Sequence, residues 1–252
     1  MTRTATRTAV LTAYVGLELR RTSRDPGFMV FGLGTPVFMY VLFTSIGRGD
    51  GPVDPGWAVA SMVGLAAYGA LGAGLSAGTS VAEDKGTGWL RLLRLLPMRP
   101  WTVVAGRAVT GSLMVLPAVL LVLATGALLN GIRLEAWQWV VLPLLLWVGS
   151  LPFVLLGLAN GYRLSPSAAG TTNIVINLVV ALLGGLWFPL SEFPGALAAL
   201  AAWSPGHLFG SLGWATVAGG APAAGSVAGL LGWTLVFGAY AVSSFLRPVT
   251  KG

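Results

Sequence analysis

The sequence predicts an all-α membrane protein with six transmembrane helices, and three observations lead there. Only 9% of its 252 residues are charged, while 55% are hydrophobic. A soluble domain carries roughly 25% charged residues, so the alternative of a very apolar soluble core cannot supply enough polar surface. The few charges are clustered, and the charge-free stretches between them reach the length a membrane demands. A hydrocarbon core ~30 Å thick takes about 20 apolar residues in a helix.

Five stretches meet that length: residues 28–46, 57–82, 108–132, 136–162 and 164–191. A sixth lies within the uncharged tract 193–246 and is best placed at about 223–246. Ahead of the first span, Val10, Leu11, Tyr14, Val15 and Leu17 share a broad helical arc into which Glu18 and Arg21 also fall. An interfacial helix over residues 10–21 is the favoured expectation and a polar tail the alternative. Asp25-Pro26-Gly27 then turns the chain into the bilayer. Arg3 and Arg7 precede only a short apolar run with no small-residue cleavage site, so no signal peptide is read.

Sidedness follows from the basic residues, because cytoplasmic loops collect Lys and Arg. The segment before span 1 holds Arg3, Arg7, Arg20, Arg21 and Arg24; the loop between spans 2 and 3 holds Lys85, Arg91, Arg94, Arg99 and Arg107. Arg163 lies between spans 4 and 5, and Arg247 and Lys251 come after span 6. Thirteen of the 15 basic residues thus fall on one side, leaving Arg48 and Arg133 with Asp50, Asp54, Glu135 and Glu192 on the other. Both termini are therefore expected in the cytoplasm. The net charge of +7 is an orientation device, and no nucleic-acid partner is expected. Arginine outnumbers lysine 13 to two, and Ala and Gly abound, which suits a high-GC bacterial genome.

Small residues recur at four-residue spacing in span 2, at Ala66, Ala70, Gly74 and Gly78. Packing must drive helix association where lipid tails offer no hydrophobic gain, so this stripe is expected to pack within the chain or across a dimer. Span 5 carries Asn173 and Asn177 one turn apart. Inter-helix hydrogen bonding is the favoured role, and contact with a polar substrate group is the sharper alternative. After span 5, Trp187-Phe188-Pro189 and Phe193-Pro194 lead into a short apolar helix over 195–203. Residues 193–207 are too few to cross a bilayer and read as a re-entrant or interfacial segment on the outer side. His207 is the only histidine, which is weak support for a metal or proton site; no metal is expected. With no cysteine in the chain, disulfides and thiol chemistry are excluded.

Absences narrow the chemistry. No expected span contains an Asp, Glu, Lys or Arg, although proton-driven carriers commonly need ionisable groups within the membrane. Neither Lys85 nor Lys251 follows a glycine, so no phosphate-binding loop is present, and HExxH and GxSxG patterns are missing too. Uphill transport by this chain would need energy from another subunit. The chain itself is expected to be neither an enzyme nor a cofactor binder.

The concentrated basic feature is the loop over residues 83–107, with Glu83, Lys85, Gly86 and Thr87 ahead of a run that Pro97 ends. As a helix from Trp89 to Leu96 it would place Arg91 and Arg94 on one face and Trp89, Leu92, Leu93 and Leu96 on the other. The residues alone leave two readings open, a helix along the inner interface or a solvated basic loop.

Lys85-Gly86-Thr87, the Leu/Arg-rich helix and Pro97-Met98 resemble the coupling loop of ABC-2-type transporter permeases. Thr87-Gly88 with Leu96-Pro97-Met98 is most similar to the daunorubicin-resistance-type exporters. The segment Gly184-Gly185-Leu186-Trp187-Phe188-Pro189-Leu190 through Trp203-Ser204-Pro205 resembles a second stretch of that family, with Ser204 where Asn is usual. The resemblance covers essentially the whole chain as one domain. It implies an elbow helix beside the docking site at the N-terminus (residues 1–25 with the tail) and a coupling helix between spans 2 and 3.

The partners it implies are a cytoplasmic ATP-binding subunit, which would hold ATP and Mg, and a second permease in a homodimer or heterodimer. The implied activity is outward movement of a drug, antibiotic or lipid across a bacterial plasma membrane. Asn173, Asn177, Trp187 and Phe188 are the candidate path. An exporter of lipid-linked polysaccharide, an ATP-independent carrier, and a membrane immunity or scaffold protein are the alternatives.

Overall fold

The computed structural model describes residues 28–46, 51–86 and 100–246, and every regular element among them is helical. The expected elbow helix at 10–21 and coupling helix at 89–96 lie outside the described residues. A π-helical segment, Phe28–Gly34, leads into α1, Thr35–Ile46. The long α2 spans Pro55–Gly86; later in the chain come α3, Pro100–Leu113, and α4, Val115–Leu129, the latter two end to end. Next come α5, Ala136–Gly149, α6, Leu151–Arg163, and α7, Pro166–Leu183. A 3₁₀ turn at Leu190–Glu192 precedes the short α8, Gly195–Ala201, then α9, Pro205–Val217, and α10, Ala224–Leu246.

Proline and capping residues explain where these helices break and begin. Pro117 lies in the first turn of α4 and Pro152 in the first turn of α6. A missing N–H costs nothing there, so each pair of helices bends at Met114 or Ser150 and continues as one span. Asp54 Oδ1 accepts from the Trp57 amide at 2.7 Å to start α2. Glu135 and Gln138 form a reciprocal capping box on α5.

Among the described residues, five helical runs are long and apolar enough to cross a membrane: Pro55–Lys85, Val104–Leu129, Ala136–Arg163, Pro166–Leu183 and Ala224–Leu246. The stretch expected as the first of six spans supplies only a shorter apolar helix, Gly32–Ile46. The fifth span ends at Leu183 rather than 191, because Gly184 leaves the helix and Gly185 takes φ +70°. The segment expected to be re-entrant, 193–207, does not end at Pro205 but runs on into a further helix. Ser204-Pro205 reads as a stop, yet Ser204 Oγ accepts from the His207 amide at 3.1 Å and Pro205 opens the next helix. A serine cap before a proline is a start signal, and the resulting α9 was not expected. Its Leu208, Phe209, Leu212 and Thr216 are buried in the bundle.

The core is centred on α2, which is 83% buried along its most apolar stretch. Ala66 and Ala70 are fully buried. Gly78 lies against the Gly157 backbone of α6, and Gly157 and Gly161 in turn meet the Leu75 and Gly78 carbonyls, so a side chain at any of these three would overlap main chain. The small-residue stripe thus serves packing within the chain, bringing two backbones into contact.

Candidate transport path and coupling face

At one end of the bundle, residues distant in sequence converge. Arg107 Nη2 of α3 bonds Asp84 Oδ2 of α2 at 2.8 Å. Lys85 Nζ donates to the Leu164 carbonyl at 2.6 Å, satisfying an acceptor left over at the C-terminus of α6. Arg163 Nε donates to Ser244 Oγ of α10 at 2.8 Å, and its guanidinium lies 4.5 Å from the centre of the Tyr240 ring. Both ends of the 83–107 loop are therefore tied together, and the first end is hooked onto the α6–α7 turn. Of the residues singled out there, Glu83 is exposed on α2 and Gly86 ends it. Thr87, Arg91, Arg94 and Pro97 lie outside the described residues.

In α7, Asn173 is buried and bonded through both its oxygen and its nitrogen. Its Oδ1 accepts from Asn160 Nδ2 at 2.8 Å, and its Nδ2 donates to the Leu75 carbonyl at 2.9 Å. Asn177 differs, for its buried Oδ1 has no partner. Sequence reasoning missed Asn160, although an amide in a largely apolar span is itself a signal of inter-helix bonding.

At the opposite end a cleft of about 680 Å³ opens between the start of α2, the 185–190 loop and α9. Trp57, Trp187 and Trp214 line it together with Ser61 and His207. Trp187 packs edge-on against Tyr68, with ring centres 5.3 Å apart, and Phe188 stands half exposed beside Phe43. Close backbone approaches hold the neighbouring segments, with Gly64 against the Leu186 carbonyl and Gly184 against Gly206. His207 Nδ1 faces the Gly184 carbonyl at 3.3 Å. A carbonyl can only accept, so that nitrogen carries the hydrogen. Burial pushes the imidazole pKa below its ordinary value, opposed by that same carbonyl. No three His, Asp or Glu side chains gather into a metal-binding group among the described residues.

The path residues predicted from sequence therefore divide. Asn173 fastens helices, Trp187 lines the cleft, Phe188 turns aside to pack against Phe43, and Asn177 carries an unmet acceptor.

The model of the ABC-2 type transporter family matches residues 10–212. The chain belongs to that family. This match takes in α1 to α8 and most of α9, together with the whole of the basic loop. The ABC-2 chain is also similar to a Bacillus subtilis (strain 168) protein named "Putative transport permease YvfS". The two are 27% identical over 207 residues, covering 81% of this chain and 84% of the relative. ABC-2 permeases are generally non-catalytic membrane subunits that work with a cytoplasmic ATPase subunit.

Proposed function

We propose that this ABC-2 permease is the membrane half of an exporter that moves a hydrophobic or amphiphilic compound outward across the bacterial plasma membrane. ATP is hydrolysed by a separate cytoplasmic subunit, which also holds the Mg. The observation that carries this reading is the family match over residues 10–212, which takes in the whole 83–107 loop. Both roots of that loop are fixed to the bundle by Asp84–Arg107 and Lys85–Leu164. A push on the loop therefore reaches α2, α3 and the α6–α7 turn together.

In this reading Glu83, Lys85, Gly86, Thr87, Arg91, Arg94 and Pro97 form the face that receives the ATPase, beside an elbow helix in residues 10–21. Two permeases pair to enclose the path, and Asn177, Trp187 and Phe188 border it. The basic end of the bundle faces the cytoplasm, as do both termini, because the basic residues collect there. The likeness of the loop to daunorubicin-resistance-type exporters supports a drug-like or lipid-like cargo.

Extraction in mild detergent tests the core of this reading. An ATPase bearing a phosphate-binding loop is expected to co-purify, and transport into vesicles should need ATP and be blocked by vanadate. Nucleotide hydrolysis or pumping by the purified chain alone would overturn it.

A further inference from the structure

We infer that the cleft between α2, the 185–190 loop and α9 is a binding site for an uncharged aromatic amphiphile that presents a hydrogen-bond acceptor. The inference deepens the export reading by naming a class of cargo and a place for it, and rests on that reading only for the claim that the ligand is cargo.

The wall decides the charge. Its lining residues include Trp57, Trp187, Trp214, Leu186 and Leu190 and contain no Asp, Glu, Lys or Arg. A charged ligand would lose its hydration there and find no counter-ion, at a cost that buried ions avoid only by pairing. At about 680 Å³ the space suits a drug-sized ligand, for which sites of roughly 300–1,000 Å³ are usual.

Unmet hydrogen bonds decide the polar group. Trp57 Nε1 donates to the Phe43 carbonyl at 3.3 Å and Trp214 Nε1 to the Ala60 carbonyl at 3.1 Å. The third indole of the lining is different, for Trp187 Nε1 is buried with no partner. So is Ser61 Oγ. Ser76, Ser112 and Ser211 each return the hydroxyl to a carbonyl three residues back, as Thr125 and Thr234 do four back. Ser61 forgoes that bond. A buried polar group without a partner is costly, and two beside one cleft are accounted for together if a ligand supplies what both lack. Trp187 can only donate, so the ligand must accept. His207, with Nδ1 turned to Gly184, keeps Nε2 as an acceptor for any hydroxyl the ligand also carries.

Benzophenone is a suitable probe, being an uncharged diaryl ketone that photolabels what it touches. The permease with its co-purified ATPase, in phosphatidylcholine nanodiscs, is irradiated with benzophenone or with an analogue bearing a trimethylammonium group. Benzophenone should label peptides containing residues 57–61, 187–190 and 207–214, and the cationic analogue should label them severalfold less. Ser61→Ala and Trp187→Phe should each lower cleft labelling about fivefold, the worth of one hydrogen bond. The unfolding midpoint of the unliganded Ser61→Ala protein should not fall, since no existing bond is lost. Labelling spread evenly over lipid-facing α7 and α10, equal labelling by the cation, or unchanged labelling in both variants would overturn the inference. Transport assayed in liposomes separates the two claims. Cleft labelling without ATP-driven movement of the ketone supports the site and counts against export, whereas movement without cleft labelling sinks the site alone.

Discussion

Asn160 and Asn173 share a 2.8 Å hydrogen bond across α6 and α7, and Asn173 passes a second bond of 2.9 Å to the Leu75 carbonyl of α2. One buried amide thus fastens three helices. Asn177, one turn further along α7, has a buried oxygen with no partner. The pair that looks equivalent in sequence is therefore split between holding the fold and standing in reserve.

The first prediction uses that split. Asn173→Leu should destabilise the protein by about 1–3 kcal/mol, because it strands the buried Asn160 amide and removes the tie to α2. Asn177→Leu should cost little stability and instead alter the range of compounds moved. Unfolding in mixed micelles, followed by tryptophan emission, reads the first, and transport assays with a panel of amphiphiles read the second. Unchanged substrate range in Asn177→Leu would remove that residue from the path.

The α2–α6 contact makes a second. Gly157→Ala would drive a methyl group into the Leu75 backbone, where no side chain can swing aside. The helices must separate, and overpacking of this kind typically costs about 1–3 kcal/mol or more. Gly232→Ala on α10 meets nothing within 4 Å and should be neutral or slightly stabilising, since Ala is about 1 kcal/mol the better helix former. The two midpoints in the same micelle titration should move in opposite directions, or only the first should move.

These cases show what the sequence made legible. The Ala66–Gly78 stripe, the charge-free spans and the clustering of basic residues each rest on periodicity or composition, which survive without coordinates. The α9 helix was hidden because Ser204-Pro205 carries two meanings, a stop for the helix before it and a cap for the helix after it. Span 5 was read too long because hydropathy continues through Trp187 and Phe188, although the left-handed Gly185 has already turned the chain. At the candidate site, Trp187 and Phe188 were visible as aromatic residues beside prolines. Ser61 was not, since one serine in an apolar helix is ordinary until its missing bond is seen.

The basic end supplies a third prediction. Asp84→Asn removes the charge that faces Arg107 at 2.8 Å, where both side chains are mostly sheltered from solvent, and so loosens one root of the loop. Substrate stimulation of the partner ATPase should fall severalfold. The exchanged pair, Asp84→Arg with Arg107→Asp, should recover more than half of it, because the attraction is restored with its polarity reversed. Charge reversal at Arg91 and Arg94 should abolish stimulation while the protein still inserts into the membrane. Full stimulation in that last variant would place the contact with the ATPase elsewhere.

Orientation gives the fourth, and the absence of cysteine makes it clean, since one introduced thiol is the only target. Ser167 is exposed at the start of α7, close to the Lys85–Leu164 hook. Gly220 lies exposed in the turn before α10, where the nearest atom to an added Cβ is 3.6 Å away, so neither substitution disturbs packing. A sulfonated maleimide cannot cross the membrane of intact cells. It should modify Gly220→Cys directly and Ser167→Cys only after permeabilisation, because the end that gathers Lys85, Arg107 and Arg163 should be retained in the cytoplasm. The opposite pattern would put the loop outside the cell, beyond reach of any ATP-hydrolysing partner, and the coupling role of residues 83–107 would fall with it.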